Sequence, residues 1–124
     1  MVRPLDYIYI VLTIGFTVYG QLIFKWRIGG FGPLPGDTFE KLKFLVGLLF
    51  DPAIFSGFAA AFLASLAWMA AMTKFDLSHA YPFMSLNFVV VLLLSAWLLG
   101  EPLTISKTLG IALIVLGTVV AARG

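Results

Sequence analysis

The apolar positions of this chain fall into four long runs, and most of the polar positions gather at their ends. One run extends from Tyr81 to Leu99, 19 residues without a charge. At about 1.5 Å per helical residue it reaches about 28 Å, close to the thickness of a bilayer's hydrocarbon core. Pro82, which has no N–H to donate, marks its start. Gly100-Glu101-Pro102 stops it, because the residue before a proline is pushed out of helical geometry. The first run, Tyr7 to Phe24, lies between Asp6 and Lys25. The second, Pro52 to Thr73, is free of charge over 22 residues and opens on Asp51-Pro52, an N-cap followed by proline at the first helical position. The fourth runs from Ile105 to Ala122, with Thr104 or Ser106 available as its cap.

Between the first two runs, Ile28 to Gly36 holds four Gly and two Pro in nine residues and reads as a loop. Phe39 to Phe50 then shows a helical period, with Glu40 and Lys43 on one side and Leu42, Leu45, Val46 and Leu49 mostly on the other. Asp37 or Thr38 can cap it, and at 12 residues it is too short to cross a bilayer. Lys74 to His79 reads as a polar connection that folds the second and third spans into a tight antiparallel hairpin. The pattern therefore predicts an all-α integral membrane protein: four transmembrane helices, a short amphipathic helix between the first and second, and one domain over residues 1–124.

Polar residues inside the spans narrow the picture. Thr13, Thr17, Gln21 and Lys25 recur every four residues and form a polar stripe on one face of the first helix. Asn87 lies about 9 Å inside the third, where hydrocarbon offers its amide no partner, so it is expected to face protein or a wet cavity. The second span is rich in Gly, Ala and Ser, which lets another helix backbone approach closely. In the fourth, Gly110 and Gly117 are seven apart and Gly117 and Ala121 four apart, which suits a helix contact between subunits.

Composition removes whole classes of function. Of 124 residues, 61% are hydrophobic and 11% charged, and the mean hydropathy is +1.05, so a soluble domain with a charged surface is excluded. A net charge of +2, dispersed along the chain, gives no nucleic-acid partner. Zero Cys and one His leave neither a disulfide framework nor an expected metal centre or other cofactor. No cleavable leader is expected, since the first run is long and ends in Lys25-Trp26-Arg27. Every carboxylate lies at a span boundary or in a loop, which argues against an enzyme. It argues equally against a proton-coupled cation exporter, which keeps an acid within the membrane. The Lys and Arg divide three (Arg3, Lys74, Arg123) to five across the two sides, favouring a cytoplasmic position for the loop around Lys41. Lys25, with Arg27 nearby and a polar stripe leading inward, suits an anionic headgroup, particularly a phosphate, whose tail stays in hydrocarbon.

Three segments carry a resemblance: Gly20-Gln21-Leu22-Ile23-Phe24-Lys25, Ala80-Tyr81-Pro82-Phe83-Met84-Ser85-Leu86-Asn87-Phe88-Val89, and Glu101-Pro102. The chain resembles the small flippase subunits for aminoarabinose-phosphoundecaprenol (ArnE/ArnF-like), within the EamA-like drug/metabolite transporter superfamily. It is similar, more distantly, to small multidrug resistance transporters through Tyr7-Ile8-Tyr9 and the segment Gly110 to Gly117. Where those exporters carry a membrane-embedded glutamate, this chain has Thr17. The resemblance implies a flippase that moves a polyprenyl-phosphate-linked sugar across the bacterial cytoplasmic membrane for envelope glycan or lipopolysaccharide modification. Headgroup-binding residues are then expected among Lys25, Gln21, Thr17, Tyr81, Ser85, Asn87, Glu101 and Arg27. A homodimer, or a heterodimer with a similar small subunit, is expected through Gly110, Gly117 and Ala121, among membrane lipids. The alternatives are a small-molecule exporter or an accessory subunit of a larger membrane complex.

Overall fold

The computed structural model describes residues 3–124, and among them there are helices and connecting turns but no strand. A 3-10 turn at Pro4–Tyr7 leads into α1 (Ile8–Ile28). There follow α2 (Thr38–Leu48), α3 (Pro52–Met72), α4 (Leu77–Met84), α5 (Leu86–Leu98) and α6 (Ile105–Arg123). Four stretches are long and apolar enough to span a membrane: Pro4–Ile28, Pro52–Met72, Leu77–Leu98 and Ile105–Arg123. The protein is thus an all-α membrane protein with four spans and a short helix, α2, between the first two.

The caps form where the sequence places them. Asp37 accepts a hydrogen bond from the Glu40 amide at the start of α2, and Thr104 accepts one from the Lys107 amide at the start of α6. Asp51 accepts from the amides of both Ala53 and Ile54. Each satisfies N–H groups that no helical carbonyl can reach.

Two boundaries differ from the sequence reading. The first helix continues past Phe24 to Ile28, so Lys25 and Arg27 are helical. The third span begins at Leu77, not Tyr81, with Pro82 inside α4, where it forgoes one hydrogen bond, that to the Ser78 carbonyl. The connection from α3 shrinks accordingly to Thr73–Asp76. Pro82 still interrupts regularity, since α4 gives way to α5 at Ser85. There the backbone closes tighter bonds, Ser85 N–H to the Pro82 carbonyl and Phe88 N–H to the Ser85 carbonyl, each 3.0 Å.

Packing centres on α1 against α3. The buried residues of α3 are Ile54, Gly57, Ala60, Ala64, Ala67 and Ala71, a row spaced by three and four that presents one face to α1. The backbones meet at Gly20 and Gly57. A Cβ on Gly57 would lie 2.5 Å from the Phe24 ring and 2.9 Å from Ile23, and one on Gly20 would lie 3.2 Å from the Gly57 carbonyl oxygen. Van der Waals contact of this kind is what drives helices together in lipid. The third span turns back from α3 but packs chiefly on α1 and α6, so the expected hairpin reverses the chain without forming the main helix pair. Helix α6 packs on α4 and α5, where the buried Thr118 hydroxyl lies 2.8 Å from the Ile114 carbonyl and 3.4 Å from the Pro82 carbonyl.

Substituting Gly57 by Leu should force α1 and α3 apart and cost about 1–3 kcal/mol, the usual range for overpacking. Gly15→Leu is the control, because a Cβ there meets nothing within 4 Å. Thermal unfolding in detergent should drop by several degrees for the first and stay near the parent for the second. Equal melting of the two variants would mean that the glycine crossing does not hold the pair.

Candidate functional site

The polar stripe of α1 lies in a cleft between α1 and α3. Thr13, Thr17, Gly20 and Gln21 line one wall, and Ala61, Ala64, Ser65, Trp68 and Met69 the other, around about 330 Å³. Thr13 is buried and satisfies its hydroxyl on the Tyr9 carbonyl at 2.7 Å, so it serves the helix; Gln21 and Thr17 are more open. The small side chains of α3 make room for this cleft while leaving one large ring, Trp68, at its edge.

Trp68 also lines a second cleft, about 460 Å³, with Tyr81, Met84, Ser85, Asn87 and Phe88 of the third span. Its indole meets the Tyr81 ring edge-on, with centroids 5.9 Å apart at 80°. Thr17 and Gln21 on one side, and Tyr81, Ser85 and Asn87 on the other, therefore line two clefts that share the Trp68 wall. The break at Ser85 belongs to this surface. Among the described residues, the Asn87 Oδ1 is the one side-chain polar atom that is buried and has no hydrogen-bond partner. An unmet buried group of this kind costs about 1–3 kcal/mol.

One turn beyond Gln21, Lys25 reaches the connection between α5 and α6, where its Nζ lies 3.9 Å from the Glu101 carboxylate. Glu101 is set there by Gly100, whose φ of +70° only glycine adopts readily, and by its own amide donating to the Ser95 carbonyl at 3.3 Å. The pair is loose: its side chains are 69% and 40% exposed, and exposed pairs are worth about 0–1 kcal/mol. An incoming charged group can replace either partner at little cost.

Arg27 has a different position. Its guanidinium binds Asp51 through Nε (2.9 and 3.1 Å) and Nη2 (2.9 Å), and it also lies over the Phe31 ring. The hydrogen-bonded guanidinium holds the Asp51 carboxyl below the usual carboxylate range; desolvation works against this, and the Ile54 and Ala53 amides support it. Arg27 thus ties the end of α1 to the cap of α3, apart from the Lys25–Glu101 pair. Gly110, Gly117 and Ala121 lie on α6, remote from the α1–α3 cleft; a Cβ added at either glycine meets nothing within 4 Å.

Sequence reasoning missed Trp68 and Ser65. The available signal was a serine and an indole three residues apart in a run otherwise made of Ala, Leu, Phe and Met. A larger cleft, about 620 Å³, lies on a different face of the α1–α3 pair and is almost wholly apolar. Its polar side chains, Tyr19 and Ser56, bond each other at 2.8 Å, so it offers no group to a charged ligand.

The sequence model of the EamA-like transporter family matches residues 3–123. The chain is 30% identical over 122 residues to the "Probable 4-amino-4-deoxy-L-arabinose-phosphoundecaprenol flippase subunit ArnF" of Pseudomonas fluorescens, covering 96% of this chain and 88% of that protein. It is 37% identical over 103 residues to the ArnF protein of the same description from Erwinia tasmaniensis, covering 78% of each. It is 33% identical over 104 residues to the corresponding ArnE protein of Pseudomonas syringae pv. syringae, covering 82% and 85%. No solved structure matches the chain. The resemblance read from the three sequence segments is borne out.

Because the Asn87 oxygen has no partner, Asn87→Leu should keep or raise the melting temperature, whereas removal of a bonded amide would lower it. Unfolding of the two proteins in the same detergent decides this. A drop of several degrees would show that the amide is a structural bond.

Proposed function

The chain belongs to the EamA-like transporter family, alongside small flippase subunits of the ArnE and ArnF kind, and from that premise we propose that it translocates a polyprenyl-phosphate-linked amino sugar. It is a multi-pass protein of the bacterial cytoplasmic membrane, and on this reading it acts as a transporter. The observation that carries the reading is the Lys25–Glu101 pair, one helical turn beyond Gln21 and the cleft that Gln21 and Thr17 line.

The chemistry of the headgroup fits these groups. A phosphodiester carries one negative charge and an amino sugar one positive charge, so the headgroup needs a cation and a carboxylate close together. Lys25 takes the phosphate and Glu101 the amine, each giving up a loose partner for a ligand. Gln21 and Thr17, one and two turns inward from Lys25, bond the sugar hydroxyls there, while Ser85, Asn87, Trp68 and Tyr81 line the next cleft on the headgroup's way across the membrane. The polyprenyl tail stays in hydrocarbon beside the bundle. Arg27 contributes by fixing the position of Lys25's helix and not by touching the headgroup.

Removing the Lys25 charge should weaken binding of undecaprenyl phosphate in nanodiscs by about one to two orders of magnitude, since a charge-assisted bond contributes about 1.5–3 kcal/mol. Lys25→Arg should retain much of the affinity because the charge survives. Arg27→Gln should lower the melting temperature more than the affinity. If Lys25→Ala binds as tightly as the parent, the anchor lies elsewhere.

The same reading includes a dimer, formed with a second copy or a similar small subunit across α6. Four helices make a thin wall around a headgroup. Helix α6 is covered from one side only, and Gly110 and Gly117 face open space, with Ala121 continuing their row. Replacing both glycines with leucine should shift the particle to monomers by light scattering in detergent. Dimers that persist unchanged would place the contact on another helix.

A further inference from the structure

The end of the bundle opposite Lys25 holds a third polar cleft that the reading above does not use. It encloses about 470 Å³ with mostly polar walls: Tyr7 from the start of α1, Lys74 and Asp76 from the turn after α3, and Ser78 and His79 from the first turn of α4. Tyr7 and Lys25 are 18 residues apart on one nearly continuous helical segment, hence about 27 Å, the full depth of the hydrocarbon core. This cleft and the Lys25–Glu101 pair therefore sit at opposite membrane faces.

The cleft has an ordered wall. The Tyr7 hydroxyl and His79 Nε2 are 2.9 Å apart, and the imidazole stacks on Phe75 (centroids 5.7 Å, 19°) and meets Phe83 edge-on at 5.6 Å. Lys74 forms no salt bridge among the described residues. Asp76 sits at the N-cap of α4, yet its carboxylate makes no capping bond, unlike Asp37 and Asp51. A solvated turn explains charges at a membrane surface, but not their convergence with Tyr7 and His79 on one cleft. The charges repeat those of the other end: one lysine and one carboxylate.

We infer that this cleft is a second headgroup site, holding the same amino-sugar phosphate lipid at the opposite face, with the phosphate on Lys74 and the Ser78 and Tyr7 hydroxyls, and the amine on Asp76. The inference rests on the flippase reading. A headgroup that crosses the membrane exchanges one set of charge partners for another, and a matched set at each end keeps the two bound states close in energy.

Photo-crosslinking reads each end separately. Benzoylphenylalanine replaces Ser78 in one sample and Gln21 in another, in nanodiscs containing undecaprenyl phosphate or, as the phosphate-free control, undecaprenol. Adducts at position 78 should be about tenfold more abundant with the phosphate. Lys74→Gln should reduce them about tenfold, Lys74→Arg should restore them, and neither should change adducts at position 21. Lys25→Ala should do the converse. With the aminoarabinose-linked lipid as probe, Asp76→Asn should reduce position-78 adducts that it leaves intact for the bare phosphate. Position-78 adducts indifferent to phosphate or to Lys74, while position 21 still responds to Lys25, would overturn the second site and leave the flippase reading standing. Indifference at both positions would overturn both.

Discussion

Everything else in this bundle depends on how closely α1 and α3 approach at Gly20 and Gly57. In lipid no hydrophobic force drives one apolar helix onto another, so helices associate where their surfaces fit, and the fit here is backbone against backbone. The crossing fixes which face of each helix is hidden. The Ala row of α3 turns toward α1, and the stripe from Thr13 to Gln21 then has to border a cleft, because the crossing is too close for it to be filled. The third span lies on the α1 side of that pair and brings Tyr81, Ser85 and Asn87 to the other face of Trp68.

Much of this was legible in the sequence, for reasons that are local. Span length follows from bilayer thickness, and caps such as Asp37, Asp51 and Thr104 act within three residues of themselves. The stripe on α1 needed only a period of four. What was not legible is non-local. Gly20 and Gly57 gain meaning only once α1 and α3 are known to cross, and nothing in either segment names the other. Lys25 and Glu101 were each singled out as headgroup residues, but their meeting depends on where the α5–α6 turn falls. Arg27, two residues from Lys25, is turned to another side of the helix by its position alone, but its partner Asp51 is not legible there. Two residues on a helix turn the side chain by about 200°, and that rotation carries Arg27 to the cap of α3. The start of the third span was misread because Ser78 and His79 look like loop residues, while a first helical turn at the membrane surface accepts them readily.

The two cationic residues at that end illustrate a division of labour set by geometry. The Arg27 guanidinium is planar and binds a carboxylate that already caps a helix, so the bond joins two rigid ends. The Lys25 ammonium is a point charge on a flexible stem, held by one long, exposed contact. The first suits a joint, and the second suits the partner exchange proposed above for Lys25.

The break at Ser85 has a mechanical consequence. The third span is two short rods, α4 and α5, that meet at Ser85. Pro82 forgoes the bond to the Ser78 carbonyl within α4, and at the join only the short-range bonds of Ser85 to Pro82 and of Phe88 to Ser85 tie the rods together. The upper rod carries Ser78 and His79, the lower one leads to Glu101, and Asn87 lies just past the elbow. A small change of angle at Ser85 therefore moves one rod at its own surface of the membrane while the other keeps its packing, as an elbow moves the forearm alone.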